Sequence, residues 1–189
     1  MSKMPLPLAV SLMIITGIIG LSVGYYLTPE YRLTMYEKNS MDLGRADRWV
    51  DQRYINAMIA HHRAAMLLAE QAEQNSQRQA IKDLAKKILS DEPGAIAELY
   101  EWKKAWYGDT RQVADPLVSQ LGTYDEKYDL RFLNALISHH EEGLLMTKEI
   151  LTKSKRTEIL NNANAVDVFL SDTLKVFKAV SYTHLTLTT

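Results

Sequence analysis

The chain contains the same short pattern twice, and this repeat constrains its fold more than any other feature. Residues 51–62 return as residues 129–140, with an offset of 78 positions and no gap. Each copy begins with an aspartate, Asp51 or Asp129, and ends in a His-His pair. These pairs hold four of the five histidines of the chain: His61, His62, His139 and His140. Because both copies keep their imidazoles in register, we predict that the four rings share one task.

The spacing of the apolar residues predicts that each copy is a helical hairpin. Apolar side chains recur every three or four residues from position 46 to 74, as in a helix with one buried face, and the following segment repeats the pattern. A proline-glycine pair, Pro93-Gly94, predicts a kink or a restart in the second helix. Since each hairpin alone leaves an apolar face exposed, the two should dock. The predicted fold is therefore an all-α four-helix bundle.

An uncharged apolar run covers the twenty residues from Leu8 to Leu27. A helix needs about 20 such residues to cross a bilayer. We predict a single-pass, uncleaved signal anchor in the cell inner membrane, with the body on the periplasmic or extracytoplasmic side. The opposite orientation and secretion after signal cleavage remain alternatives. Gly20 and Gly24 have the spacing of a helix-packing motif, so a homodimer is left open.

Helix-capping patterns and breaks in periodicity define the remaining boundaries. Ser76 with Gln79 and Thr123 with Glu126 have the spacing of capping boxes, which predicts helix starts there. The threonine-rich C-terminal residues do not continue the helical pattern beyond Val180, and we expect no function from them or from His184. The predicted segments are a flank (1–7), the signal anchor (8–27), a tether (28–45), the first hairpin (46–106), a linker (107–124), the second hairpin (125–180) and a tail (181–189).

Composition and missing motifs exclude several kinds of function. The chain has no cysteine, so disulfides, thiolate metal sites and cysteine catalysis are excluded. Its net charge is −1, without a basic field that would favour nucleic acid. There is no Glu-x-x-His of the di-iron bundles, no His-Glu-x-x-His of the zinc proteases, and no glycine-rich phosphate loop. We therefore expect a protein that is not an enzyme and does not bind nucleic acid.

The two histidines of a pair should have different surroundings, because adjacent helical residues point about 100° apart. On a helical wheel, His62 and His140 fall near the centre of the apolar stripe, and His61 and His139 fall at its flank. This predicts that His62 and His140 approach each other across the core. The aspartates that open each copy lie too far along the helix to share an ion with these rings. A helix cap, a supporting hydrogen bond or a contact across the bundle suits them better.

Methionines lie close to the histidines along each predicted helix. Met58 shares a helical face with His61 and His62, Met66 follows His62 by one turn, and Met146 follows His139 by seven residues. Imidazole with thioether suits a soft or borderline ion, with Cu(I) favoured and Ag(I) next. Two alternatives stay open. The histidines can be hydrogen-bonded core residues of a structural or interaction module, or they can serve an enzyme with a redox metal, which needs an open coordination position and a cleft.

The combined motifs resemble the domain of unknown function 305, a family of ferritin-like helical bundles. The resemblance covers about residues 46–180. The matching positions of the first copy are Asp51, Tyr54, Met58, His61, His62, Ala65, Ala69, Leu84, Ala85, Ile88, Ile96 and Trp102, and those of the second are Asp129, Phe132, His139, His140 and Met146. The resemblance implies an exported or membrane-anchored protein and, as in some members, copper or silver binding linked to copper tolerance. Where the family has a glutamine in the second helix, this chain has Glu92.

Overall fold

The structure is a computed structural model that describes residues 42–186, and these residues form helices without any strand. The four helices are α1 (Val50–Asn75), α2 (Gln79–Tyr107), α3 (Tyr128–Lys153) and α4 (Thr157–Thr186). Within this part of the chain, none of the helices is both long and apolar enough to cross a membrane. The predicted signal anchor at 8–27 lies outside the described residues, as does the tether up to residue 41.

The helix boundaries follow the sequence repeat. Adding 78 to the first and last residues of α1 gives the first and last residues of α3, and the same offset relates the starts of α2 and α4. Helix α1 packs on α2, α3 packs on α4, and α1 also packs on α3. The predicted bundle of two duplicated hairpins is therefore confirmed for the described residues.

The connection between the hairpins runs along the whole length of α1. Near the start of α1, Gln52 donates a hydrogen bond of 3.0 Å to Asp109, which follows α2. Near its end, Gln71 donates a bond of 3.1 Å to the carbonyl of Ser119. Helix α3 then starts beside the end of α1 and runs antiparallel to it. Such a long crossover is the connection found in ferritin-like bundles.

The core consists of two hydrophobic clusters, one at each end of the bundle, and each draws on both hairpins. The methionine cluster contains Leu43, Val50, Tyr54, Ile55, Met58, Ile59, Leu99, Met146, Ile150, Ile159 and Ala163. The leucine cluster contains Leu68, Ala69, Ala72, Ile81, Ala85, Leu121, Tyr128, Phe132, Leu133, Leu136 and Phe177. Most members are related pairwise by the 78-residue offset, so the two ends are pseudosymmetric. The His-His pairs lie between the clusters.

The repeat begins earlier than the predicted hairpins. Gly44 and Gly122, with φ of 66° and 74°, form equivalent turns before α1 and α3. The Arg53 guanidinium donates to the carbonyl of Leu43 at 2.6 Å, and Arg131 donates to that of Leu121 at 2.9 Å. Residues 42–45 therefore belong to the bundle, although the sequence analysis assigned them to a tether.

The capping-box predictions were wrong in detail. Helix α2 begins at Gln79 and α3 at Tyr128, and neither start has a side-chain cap. The Ser76 hydroxyl accepts a bond from the N–H of Arg78 at 3.2 Å and donates one of 2.7 Å to Asp129. The Ser76 hydroxyl thus bonds across the bundle to α3 and does not cap the start of α2, while its backbone N–H caps the end of α1.

Two other segments are helical where the sequence pattern suggested an interruption. Helix α2 continues through Pro93, so of the predicted kink or restart, the restart does not occur. Helix α4 continues past Val180 to Thr186, so the backbone is helical where a tail was expected.

Candidate metal-binding site

Helices α1 and α3 meet at their histidines. The rings of His61 and His139 stack with their centroids 3.7 Å apart and their planes 9° from parallel. Each residue is only 7% exposed. The other two rings flank this stack, because His62 lies 6.2 Å from His61 and His140 lies 5.8 Å from His139, centroid to centroid. The four imidazoles that the sequence singled out thus form one cluster, built by both hairpins.

The helical wheel assigned the wrong ring of each pair to the interface. His62 faces α2, where its Nδ1 contacts the carboxylate of Glu92. His140 faces α4, where its ring meets Phe177 edge-on at 5.0 Å. The rings that stack between the hairpins are those of His61 and His139, which were expected at the flank, because α1 and α3 each bury two faces. One face packs on the hairpin partner and the other on the opposite hairpin, so the centre of the apolar stripe does not mark the interface.

Two ring nitrogens in the cluster are buried without a partner. The Nδ1 of His140 bonds the carbonyl of Leu136 at 2.8 Å, and a carbonyl only accepts, so this nitrogen carries the proton. The Nε2 of His140 then has a free lone pair. In the described part of the chain, neither this atom nor the Nε2 of His61 finds a hydrogen-bond partner. A buried polar atom left in this state costs about 1 to 3 kcal/mol. These nitrogens are therefore candidate donors to a ligand.

Burial favours the neutral form of three of the imidazoles, those of His61, His139 and His140. Burial lowers the pKa of His61 well below its ordinary value, and the other three histidines lower it further. Burial, with smaller contributions from His140 and His62, lowers the pKa of His139 to about 3. Burial also lowers the pKa of His140, while the bond to Leu136 and the charge of Glu92 oppose that shift. Neutral rings keep the lone pair that a metal ion needs.

A glycine makes room for the ring of His61. A Cβ atom at Gly143 of α3 would lie 2.7 Å from the Nε2 of His61 and 2.5 Å from a methyl carbon of Leu170. Such distances do not occur between real Cβ atoms and their neighbours, so a side chain at this position would displace the ring. The first copy has Ala65 at the equivalent position. The absence of a side chain at Gly143 therefore allows α3 to lie close to the His61 ring of α1.

The predicted methionines fall into two groups. Met58 and Met146 are 0% and 3% exposed and belong to the methionine cluster, at the same end of the bundle. Their equivalents in the other copy, Leu136 and Leu68, lie in the leucine cluster, so these two buried thioethers lie on the same side of the histidines. Met66 is half-buried, and its sulfur lies 3.8 Å from the guanidinium of Arg63. A cation at this distance makes Met66 the weakest of the three candidates.

The donors do not form a finished metal cage. Among residues 42–179, no three His, Asp or Glu side chains are grouped so that they could hold one ion. The in-plane lone pairs of two stacked rings also run nearly parallel and do not converge. A shared ion therefore requires ring rotation within the cluster, or thioether donors in addition to the imidazoles.

The aspartates of the repeat contact the opposite hairpin, as one of the predicted alternatives stated. Asp129 accepts the hydroxyl bond of Ser76 and lies 3.5 Å from Arg78. Asp51 lies 3.5 Å from Arg156. These carboxylates fasten the two ends of the α1–α3 pair and lie far from the rings.

Two site residues were missing from the sequence prediction. Glu92 was noted only as a departure from a pattern, and Gly143 was not singled out at all. Both could have been found from the sequence. The 78-residue offset pairs Glu92 with Leu170, a charged residue with an apolar one, and Gly143 is a glycine within a helical pattern.

Comparison with known proteins gives a matching family model and several similar solved structures. The sequence model of the family described as domain of unknown function (DUF305) matches residues 51–120. The structure named "CopM in the Cu(I)-bound form" is 27% identical, with a TM-score of 0.63, and the alignment covers 72% of this chain and 98% of that chain. The Ag-bound form obtained by co-crystallization is 27% identical, with a TM-score of 0.62 and coverages of 70% and 96%.

A DUF305 fragment from Deinococcus radiodurans shares the fold. It is 20% identical, with a TM-score of 0.60 and coverages of 73% and 98%. The search of curated protein sequences found no match. Residues 51–120, which hold the first His-His pair and the glutamate beside it, match the sequence model of the family that the motifs resembled.

Proposed function

We propose that this protein binds copper ions, with Cu(I) favoured and Ag(I) as a surrogate, and that it sequesters copper or hands it on without catalysing a reaction. The ligands are drawn from His61, His62, His139 and His140, with Met58 and Met146 as thioether donors. Copper is the cargo of this site. The observation that carries the proposal is the stack of the buried His61 and His139 rings at the joint between the hairpins, together with the unpartnered Nε2 atoms of His61 and His140.

The chemistry of the donors supports copper over harder ions. Imidazole and thioether ligands suit Cu(I), whereas Mg²⁺ and Ca²⁺ require several oxygen ligands, which this cluster does not offer. The similar structures of CopM were determined with Ag, Cu(I) and Cu(II), which supports the same cargo here. Stacked rings that must rotate to bind an ion also suit a protein that takes up and releases its cargo.

Competition with a chelator tests this proposal directly. The body of the protein, purified without added metal, should hold copper by elemental analysis and withdraw Cu(I) from a coloured chelator. Replacement of all four clustered histidines by alanine should abolish this competition, whereas His184→Ala should leave it unchanged. Unchanged competition by the fourfold variant would refute the assignment. It would leave a structural or interaction module, whose histidines serve only its packing.

We further propose that the apolar run at 8–27 anchors the protein in the cell inner membrane, with the bundle on the periplasmic or extracytoplasmic side. The support comes from the length of the run and its lack of charge. Full-length protein should sediment with membranes and resist alkaline extraction, and a variant without residues 1–27 should be soluble. If the protein is recovered from the soluble fraction with its N-terminal segment intact, the anchor is contradicted. If it is recovered there in a shortened form, the segment is cleaved and the protein is secreted.

A further inference from the structure

A carboxylate of α2 reaches the histidine cluster. The Glu92 carboxylate contacts the Nδ1 of His62, and the two side chains are 19% and 13% exposed, so water shields them only partly. Its negative charge also raises the pKa of His140 slightly, against the larger effect of burial. Glu92 therefore contacts the first His-His pair directly and acts on the second only through its charge.

The second copy has no carboxylate at the equivalent place. The counterpart of Glu92 is Leu170, a buried core residue that is 4% exposed. His140 instead directs its Nδ1 to the backbone of Leu136 and packs against Phe177. The duplicated bundle thus folds with leucine at this position, and Glu92 is not needed for the fold as such. Because of Glu92, the first His-His pair has a carboxylate in contact with one of its rings, whereas the second pair has a leucine at the equivalent position.

The contact has a defined consequence for His62. A carboxylate beside Nδ1 holds the proton on that nitrogen and leaves the Nε2 lone pair free for an ion. It also places a negative charge near the cargo. Coulomb attraction grows with the charge of the ion, so this carboxylate stabilises a divalent ion about twice as strongly as a monovalent one at the same place.

We infer that Glu92 is a positioning and selectivity residue, which orients His62 and enables a site with soft donors to hold Cu(II) as well as Cu(I). This inference rests on the proposed copper site. Carboxylates that support metal-bound imidazoles typically contribute about 10- to 100-fold to metal affinity. We expect this contribution mainly for Cu(II), with a smaller effect on Cu(I).

The variant Glu92→Gln tests the inference, because glutamine keeps the size of the side chain and removes its charge. The control is Asp91→Asn, which removes the exposed neighbouring carboxylate that pairs with Lys87. Chelator competition should show that Glu92→Gln weakens Cu(II) binding about 10- to 100-fold and lowers the ratio of Cu(II) to Cu(I) affinity. The control should leave both affinities unchanged.

A second measurement needs no metal. In long-range ¹H–¹⁵N spectra of the metal-free protein, His62 should show a proton on Nδ1 in the wild type and a changed tautomer balance in Glu92→Gln. If the wild type binds both ions and the variant keeps the same affinity ratio, the role of Glu92 is overturned and the copper site stands. If the wild type binds neither ion, the copper site and the role of Glu92 both fall.

Discussion

Single residues decide how closely the helices approach the histidine stack. At Gly143, an added methyl group would collide with His61 and Leu170. At Gly94 of α2, an added Cβ meets nothing within 4 Å, so this second helical glycine is a matched control. The two positions separate the effect of crowding from the general preference of helices for alanine.

We therefore predict that the same substitution has different effects on stability at the two positions. Gly94→Ala should stabilise the protein by about 1 kcal/mol, the helix propensity difference between glycine and alanine. Gly143→Ala should be less stable than Gly94→Ala by about 1 to 3 kcal/mol, the usual strain of an overpacked core. It should also shift the NMR signals of the His61 ring. Urea unfolding of both variants measures the difference, and equal stabilities would contradict the crowding at Gly143.

Individual side chains also determine which ions the site prefers. The equivalents of Met58 and Met146 at the other end of the bundle are leucines. Leucine therefore packs well at the equivalent core positions. Leucine has nearly the volume of methionine, and such exchanges usually cost less than about 1.5 kcal/mol. The exchange removes sulfur donors with little change in packing.

The double variant Met58→Leu/Met146→Leu should therefore lose affinity for Cu(I) and Ag(I) by more than about 10-fold, the lower range for loss of a supporting group at a metal site. Binding of Cu(II) should change less, because imidazole and carboxylate ligands suit this harder ion. Met66→Leu is the comparison variant and should behave like the wild type. Equal losses for Cu(I) and Cu(II), or a loss in Met66→Leu alone, would count against the proposed thioether ligands.

At the scale of the helices, α1 and α3 are fastened by the aspartates that open each copy of the repeat. Ser76 is only 2% exposed, and its hydroxyl donates to Asp129 at 2.7 Å. Removal of the acceptor alone leaves a buried hydroxyl without its strong partner, which costs about 1 to 3 kcal/mol. Removal of both groups avoids part of this cost.

Asp129→Ala should therefore destabilise the protein by roughly 1 to 3 kcal/mol. The double variant Ser76→Ala/Asp129→Ala should lose less stability than the two single variants lose together. Thermal or urea unfolding of the four proteins in this cycle gives the coupling. Asp91→Asn, at an exposed ion pair within one helix, should change stability by less than about 1 kcal/mol. Strict additivity in the cycle would show that the bond contributes nothing to docking.

The sequence predicted the helices well because their apolar spacing and the 78-residue repeat are local properties. It did not predict which histidine of each pair faces the other hairpin, since His61 and His62 both lie on buried faces and only the docking angle distinguishes them. It also missed the role of Ser76, because a hydroxyl near a helix start reads as a cap unless a distant carboxylate is known to lie beside it. Glu92 has the same difficulty, since its partner His62 lies thirty residues away.

At the scale of the whole molecule, duplication produced two similar ends that have since diverged. The buried methionines Met58 and Met146 lie at one end, and the carboxylate that contacts a histidine of the cluster, Glu92, comes from the first hairpin. The stack of His61 on His139 joins the halves, and within residues 42–179 neither histidine pair has a complete metal site of its own. A site at this joint should therefore require both hairpins at once.

This requirement gives a final prediction, based on stoichiometry. If the pairs form one shared site, His61→Ala/His62→Ala and His139→Ala/His140→Ala should each remove most of the tight copper binding. If each hairpin binds its own ion, each double variant should keep half of the bound copper at unchanged affinity. Titration of Cu(I) against a chelator, followed by elemental analysis, separates these outcomes. Because both variants leave the opposite pair intact, half-occupancy with wild-type affinity in either would show that the joint between the hairpins is not the site.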